Sequence, residues 1–462
     1  MSNMEPINIG ISVTVVMLIM VFLGLRVAFA TAGAGFIGLL WIFSAKYGFE
    51  RGLEVTIQTA GTIPHSKVST LSLSLIPTFI LIGFFAYQAG LTRALFQAAK
   101  SWLGWLPGGM GVAAVFSTAG FAAVSGASVA TSAVFARIAV PEMLEAGYDK
   151  RFASGVVAAA GTLASLIPPS AILVIYAIIV EQDVGPLLMA GFLPGMFSAL
   201  IYGGLVVLMA MAYKNFGPPI TGYTWKERFA ALPGISPIFF VIGIIIACIY
   251  GGIGTPTEAG ALGAFVILCI AIKKGMGLQA FGEALVETTK LTVMIFTVIW
   301  GVLLYVRFLG FADLPSAFSD WLVGIDQSPM ITLLLILMGY AILGMFMDAI
   351  GMLLLTLPVV YPAVMALNGG EHVTAADSAF GLSGLGCSIW FGIIVVKMAE
   401  LCLITPPIGL NCFVVAAVRP ECSVQDVFRG CFPFFIADVL TIAGLIAAPG
   451  IVVWLPGVMG LL

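Results

Sequence analysis

From residue 7 to residue 456 the chain is a succession of apolar runs, most of them near the length needed to cross roughly 30 Å of hydrocarbon, joined mainly by short loops. Such a pattern leaves no room for a soluble domain and reads as an all-α membrane protein. The composition agrees, with 61% of the 462 residues hydrophobic and 9% charged. A net charge of -3, with basic residues scattered through loops, gives no reason to expect a nucleic acid partner. The cysteines show no C-x-x-C spacing and mostly fall in or beside apolar segments, so they read as small buried hydrophobes. The opening "MSNMEPINIG" lacks a basic region and a small-residue cleavage site, and the run after it reads as a retained first span.

About ten crossings are predicted: 7–25, 27–45, 71–90, 152–180 and 186–213, then 235–250, 256–272, 291–309, 388–418 and 432–456. Two stretches do not fit single spans. Residues 111–147, interrupted by "VSGAS", and 330–367, interrupted by "GMFMDAIG", read as re-entrant helical hairpins. The polar segment 214–234 is the natural cytoplasmic linker between a first repeat, 1–213, and a second, 235–462. Residues 275–290 read as a short surface helix, either a connector or a brace, and 368–386 as a flexible outer loop.

Charge bias orients this layout. With both termini periplasmic, the inner side holds Arg26, Arg93, Lys100, Lys150, Arg151, Lys214, Lys226, Arg228, Lys273, Lys274, Lys290, Arg419 and Arg429. The outer side holds Lys46, Arg51, Lys67 and Arg307, so the positive-inside rule is met. The second repeat then runs opposite to the first, with one hairpin entering from each side.

In each repeat a hairpin tip is paired with a following span broken by two prolines. Ser125, Gly126, Ala127 and Ser128 precede the break at Pro168, Pro169 and Ser170; Asp348 to Gly351 precede the break at Thr405, Pro406, Pro407 and Gly409. Proline removes a backbone donor and frees carbonyls, which is costly in lipid and tolerated where the chain lines a cavity. Discontinuous helices in matching positions of inverted halves point to the midplane site of a secondary transporter. Ser125, Ser128, Thr131 and Ser170 offer oxygens at the first break, and Asp348, Thr405 and Asn411 at the second. With freed carbonyls, these suit a hard monovalent cation, sodium above all. Serine, threonine and glycine also serve close helix packing in membranes, and that use competes with the first.

The segments "VSGASVATSAVFARIAVPEMLEAGYDKRFASGVVAAAGTLASLIPPSAILVIYAII", "GTPTEAGALGAF", "MFMDAIGMLLLTLPVVYPAV" and "VVKMAELCLITPPIGLNCFVVAAV", in this order, resemble the large membrane subunit of tripartite ATP-independent periplasmic (TRAP) transporters, dicarboxylate type. The resemblance implies sodium-coupled uptake of organic anions by an elevator movement of a hairpin-bearing transport domain against a scaffold. It also implies a soluble periplasmic binding protein, a location in the bacterial inner membrane, and a small membrane subunit, expected here as a separate polypeptide. Sodium-site elements fall on Ser125–Ser128, Pro168–Ser170, Asp348 and Thr405–Gly409. Ala127 stands where the family tip often has serine, leaving only its backbone to coordinate.

Charged residues within apolar runs allow two readings each. Arg137 lies ~13 Å along a helix from Ser128 and reaches the cytoplasmic interface or else the substrate. Lys397 and Glu400 share a helix face and form a pair, yet Glu400 is only ~7 Å from the second break and is a candidate substrate contact with Ser125, Gly126, Ser128, Ser170, Asp348 and Asn411. His65 and His372 read as solvated loop residues. A binding-protein-independent sodium/carboxylate symporter would share the hairpins. An enzyme is disfavoured, since no nucleophile-plus-base pattern or metal-ligand cluster stands out, and no cofactor beyond the coupling sodium is expected.

Overall fold

In this computed structural model, residues 5–68, 71–213, 216–251, 253–324 and 327–462 are described. Lys214 lies outside them, as do the side chains of His65 and Lys67. The described residues form twenty α-helices and no strand. The first part runs through α1 (Pro6–Phe22), α2 (Val27–Tyr47), α3 (Phe49–Val68), α4 (Leu75–Gln88) and α5 (Leu91–Leu103). The first hairpin follows as α6 (Gly109–Ser125) and α7 (Ser128–Glu145), and the first broken span as α8 (Lys150–Thr162), a 3-10 turn at Leu163–Ser165, and α9 (Ala171–Ile179). After α10 (Val184–Ala212), the order recurs: α11 (Trp225–Tyr250), α12 (Pro256–Lys273), α13 (Leu278–Phe311) and α14 (Leu314–Val323). The second hairpin is α15 (Pro329–Gly344) and α16 (Ala349–Asn368). It precedes a second broken span, α17 (Gly384–Cys402) and α18 (Leu410–Val418), then α19 (Val424–Ala447) and α20 (Gly450–Val458).

Eight of these helices are long and apolar enough to cross a bilayer, or nine if α4 and α5, bent by 68°, count as one span. Outward-facing Ile19, Leu208, Phe240, Phe265 and Leu440 are all more than half exposed, which only a lipid surface tolerates in such numbers. The chain is a multi-pass membrane protein. Polar helix starts are built from local chemistry: Thr255 and Glu258 form a capping box before α12, with Pro256 at the first helical position. Asp149 caps α8 by accepting from the Arg151 amide at 2.8 Å, and the Arg151 guanidinium holds its carboxyl below the ordinary carboxylate range.

Helices pair through small residues. A methyl added to Gly301 on α13 would meet the Ala28 carbonyl of α2 at 2.2 Å, and one on Gly155 of α8 would meet Gly430 of α19 at 2.3 Å. α2 and α13, with α3, α4, α11 and α12 around them, make one body. The two hairpins pack with the broken spans, α10, α19 and α20 as a second body, in which α17 is almost wholly buried.

Several boundaries differ from the sequence layout. The surface helix expected at 275–290 is the first half of α13, a continuous 34-residue helix that buries Ala284 and Thr288 before it enters the apolar region. α3, to which the sequence layout assigned no span, is an amphipathic helix that turns Gly52 and Thr56 onto α2. The expected linker ends at Thr224, because Thr224 and Glu227 cap α11 ten residues early. The last predicted span divides at Pro449 into α19 and α20. The outer loop is held by Asn368, which donates to the Leu382 carbonyl and accepts from the Phe380 amide, so its polar composition is used for hydrogen bonding. Cys269 is exposed; the other cysteines are buried.

Candidate functional site

The first hairpin turns because α6 ends on Gly126 in the left-handed region, φ +60°, followed by extended Ala127. Any side chain at Gly126 would press on the Pro169 carbonyl, 2.6 Å from an added methyl. The tip is therefore seated on the break, and the Ala171 amide donates to the Gly126 carbonyl at 3.4 Å. Ser125 and Thr131 bond hydroxyl to hydroxyl at 2.8 Å across the tip, and Ser128 does the same with Ser165. Pro169 has no N–H for the Ser165 carbonyl, which accepts from the Ser170 hydroxyl instead. Ser170 in turn caps α9, accepting from the Leu173 amide at 3.2 Å.

The second break solves the same backbone problem with different residues. Pro407 cannot donate to the Leu403 carbonyl, and the Asn411 amide does so at 3.0 Å. Thr405 returns its hydroxyl to the Leu401 carbonyl at 2.6 Å, and Gly409 turns the chain at φ +38°. Both Pro168-Pro169 and Pro406-Pro407 are cis. At the second tip Asp348 caps α16, accepting from the Gly351 amide at 3.0 Å. This tip leans on α1 and α2, with Phe346 edge-on to Phe22 of α1 at 5.1 Å and Gly351 facing the Val27 side chain of α2.

Both tips and both breaks border one cavity of about 1310 Å³. Ser128, Ala171, Ala349 and Leu410 all line it, and these are the first residues of α7, α9, α16 and α18. Four helix N-termini thus converge on the same space, each bringing the positive end of a helix dipole, although the Ala171, Leu173, Gly351 and Asn411 amides are already bonded at the tips and breaks. The opposite ends, at Gly126 after α6 and Leu403 after α17, lie beside them and bring carbonyls. The rest of the wall carries Arg26, Gln88, Arg137, Glu283, Glu287 and Lys290, residues of the side that the charge bias marks as cytoplasmic.

Of the residues singled out in the sequence, Gly126, Ser128 and Asp348 line the cavity directly. Ser125, Thr131, Pro168, Ser170, Thr405, Pro406 and Gly409 belong to the tips and breaks but are not wall residues. Asn411 is buried against α8, donating from Nδ2 to the Ala158 carbonyl at 3.1 Å. Glu400 does not reach the cavity wall; it is sealed in the second body, 2.7 Å from Lys397. Arg137 is exposed and lines the charged part of the wall, beside Arg26, Glu287 and Lys290 in the same lining. Ser165 was not anticipated, although it stands three residues before the proline pair. Asp438 was also missed, and its signal was plain: a carboxylate inside the apolar run "FFIADVL".

The sequence profile of the family described as "Tripartite ATP-independent periplasmic transporter, DctM component" matches residues 14–451. The C4-dicarboxylate TRAP transporter large permease protein DctM of Pseudomonas aeruginosa is 32% identical over 84% of this chain and 86% of its own. The isethionate TRAP transporter permease protein DctMQ of Oleidesulfovibrio alaskensis is 29% identical over 83% of this chain and 60% of its own length. The crystal structure of the Alcanivorax borkumensis YdaH transporter shares the fold, with a TM-score of 0.54 over 86% of this chain and 89% of that one, at 14% identity. On the match across nearly its whole length, the chain belongs to the DctM family of TRAP transporters, as their large permease subunit.

Proposed function

We propose that this permease couples sodium entry to the import of a small organic anion, handed to it by a soluble periplasmic binding protein, in the bacterial inner membrane. The observation that carries the reading is the convergence of four helix N-termini on one cavity. A carboxylate placed between the tips meets amide donors and positive dipole ends without needing an arginine inside the bilayer. The relatives named for C4-dicarboxylates and for isethionate carry small anions, which fits the same chemistry.

Sodium is a co-substrate in this reading. One ion is held by oxygens of Ser125, Ser128, Thr131 and Ser170 with the Pro168 carbonyl, the other by Asp348, Thr405, Pro406 and Gly409. Hydroxyl, carbonyl and carboxylate oxygens suit a hard cation. Each ion lies near carbonyl-bearing helix ends and offsets the charge of the anion, so the loaded site enters the low-dielectric midplane close to neutral. Residues 1–213 and 235–462 act as inverted repeats with both termini periplasmic, and the hairpin-bearing body slides as an elevator against the α2/α13 scaffold. The open cavity faces the cytoplasm in this arrangement, which is the releasing state. A small membrane subunit braces the scaffold.

Reconstitution tests this. Purified permease with its small subunit in proteoliposomes should take up anion only with an inward sodium gradient and loaded binding protein. Uptake of free anion at full rate without the binding protein would instead assign the chain to the binding-protein-independent symporters.

A further inference from the structure

The charges that the transport site does not use gather behind the second break. Lys397 and Glu400 on α17 and Asp438 on α19 have no solvent exposure at all. The Lys397 ammonium is 2.7 Å from Glu400 Oε2 and 2.8 Å from Asp438 Oδ1. The Tyr202 hydroxyl of α10 reaches both oxygens of Asp438, at 2.7 and 2.8 Å, and the Lys397 ammonium stands 5.4 Å from the Tyr202 ring centre. Two carboxylates face one ammonium, leaving one negative charge without compensation in a sealed apolar interior.

The two carboxylates are not equivalent. Asp438 has both oxygens bonded, by Lys397 and Tyr202. Glu400 has Lys397 on one oxygen, while its buried Oε1 has no hydrogen-bond partner. Among the described residues, the groups around Glu400 supply no second cation. Tyr202 comes from α10 and Asp438 from α19; Cys402 on its own helix bonds the Met398 carbonyl. Tyr340 on α15 is held by Thr356, and Tyr176 on α9 and Tyr361 on α16 meet α17 at Ser388, about 18 Å away along the helix. An ionised Oε1 here has no protein donor, whereas a neutral carboxyl removes the surplus charge.

We propose that Lys397, Glu400 and Asp438 form a proton-binding site, with one proton held on Glu400 Oε1 beside a neutral Lys397–Asp438 pair. The proton comes from solvent before the body closes and returns there when it opens. None of the three residues lines the cavity, so this proton travels with the hairpin-bearing body and is distinct from the coupling ions. Glu400 lies in the last turn of α17, its carbonyl accepting from the Leu403 amide at 3.0 Å. The bound proton therefore keeps the base of the second break electrically neutral.

Infrared spectroscopy of the purified permease tests the proposal. At neutral pH the wild type should show a protonated-carboxyl stretch that shifts when the protein is made with isotope-labelled glutamate and disappears in E400Q. It should also disappear in D438N, where Glu400 remains but pairs alone with Lys397. The native state holds a proton that the unfolded chain has released, so wild-type melting temperature should fall as pH rises from the ordinary carboxylate range of about 4–5 to the pH at which the native state gives the proton up, and that part of the fall should vanish in E400Q. Absence of the glutamate band in the wild type, its persistence in D438N, or an unchanged slope in E400Q over that range would overturn the site. Absence of the band together with sodium-dependent melting that E400Q abolishes would give Oε1 to a sodium ion and equally overturn it.

Discussion

The amide of Ala171 donates to the carbonyl of Gly126 at 3.4 Å, joining the tip of the first hairpin to the break in the following span. A hairpin and a broken helix, each with unpaired main-chain groups in the apolar interior, here satisfy part of one another's needs. Residues of both tips and both breaks also line a common cavity.

Gly126→Ala should disable that contact. The left-handed backbone costs a non-glycine residue about 1–2 kcal/mol, and the added methyl would also meet the Pro169 carbonyl at 2.6 Å. We expect a lowered melting temperature and strongly reduced uptake in proteoliposomes, whereas Gly147→Ala, also left-handed but with open space around it, should pay only the backbone part and keep transport.

Cavity access should be one-sided. Ala130→Cys, on the cavity wall in α7, should react with a membrane-impermeant thiol reagent supplied from the cytoplasmic face and not from the periplasmic face, in a background lacking the exposed Cys269. Labelling from the periplasmic side alone, in the absence of substrate, would reverse the assigned orientation.

Removing the buried ammonium should be far worse than exchanging the protonated Glu400 carboxyl for an amide. Lys397→Met leaves the buried Asp438 carboxylate without its cation, a change of the kind that costs about 3–5 kcal/mol. Chemical denaturation in detergent should show Lys397→Met much less stable than Glu400→Gln.

The crossing of α8 and α19 depends on two glycines in backbone contact. Gly155→Leu would push its side chain into Gly430 and should prevent the hairpin-bearing body from assembling, read as loss of a monodisperse peak on size exclusion.

Hairpins and breaks were legible in the sequence because paired prolines and a Gly- or Asp-bearing tip leave no continuous helix to draw. Thus 111–147 and 330–367 match α6–α7 and α15–α16 within two residues at each end. Where hydrophobicity was the only guide, boundaries slipped. Residues 275–290 are polar enough to look like a separate helix, and nothing local shows that the backbone continues unbroken into 291–311. α3 was passed over for the same reason, since its polar face hides the Gly52 edge that packs on α2. Ser165 and the Tyr202–Asp438 pair depend on contacts 37 and 236 residues apart, which spacing rules cannot reach.

Sodium dependence at the two tips bears most directly on the account as a whole. Anion uptake by proteoliposomes should be measured against sodium concentration for the wild type, Ser125→Ala and Asp348→Ala. Asp348→Ala also removes a helix cap worth about 1 kcal/mol, so its folding should be checked by melting temperature. Both variants should need several-fold more sodium for half-maximal uptake. Sodium curves that superimpose on the wild type in both would contradict the assignment of the coupling ions to the hairpin tips.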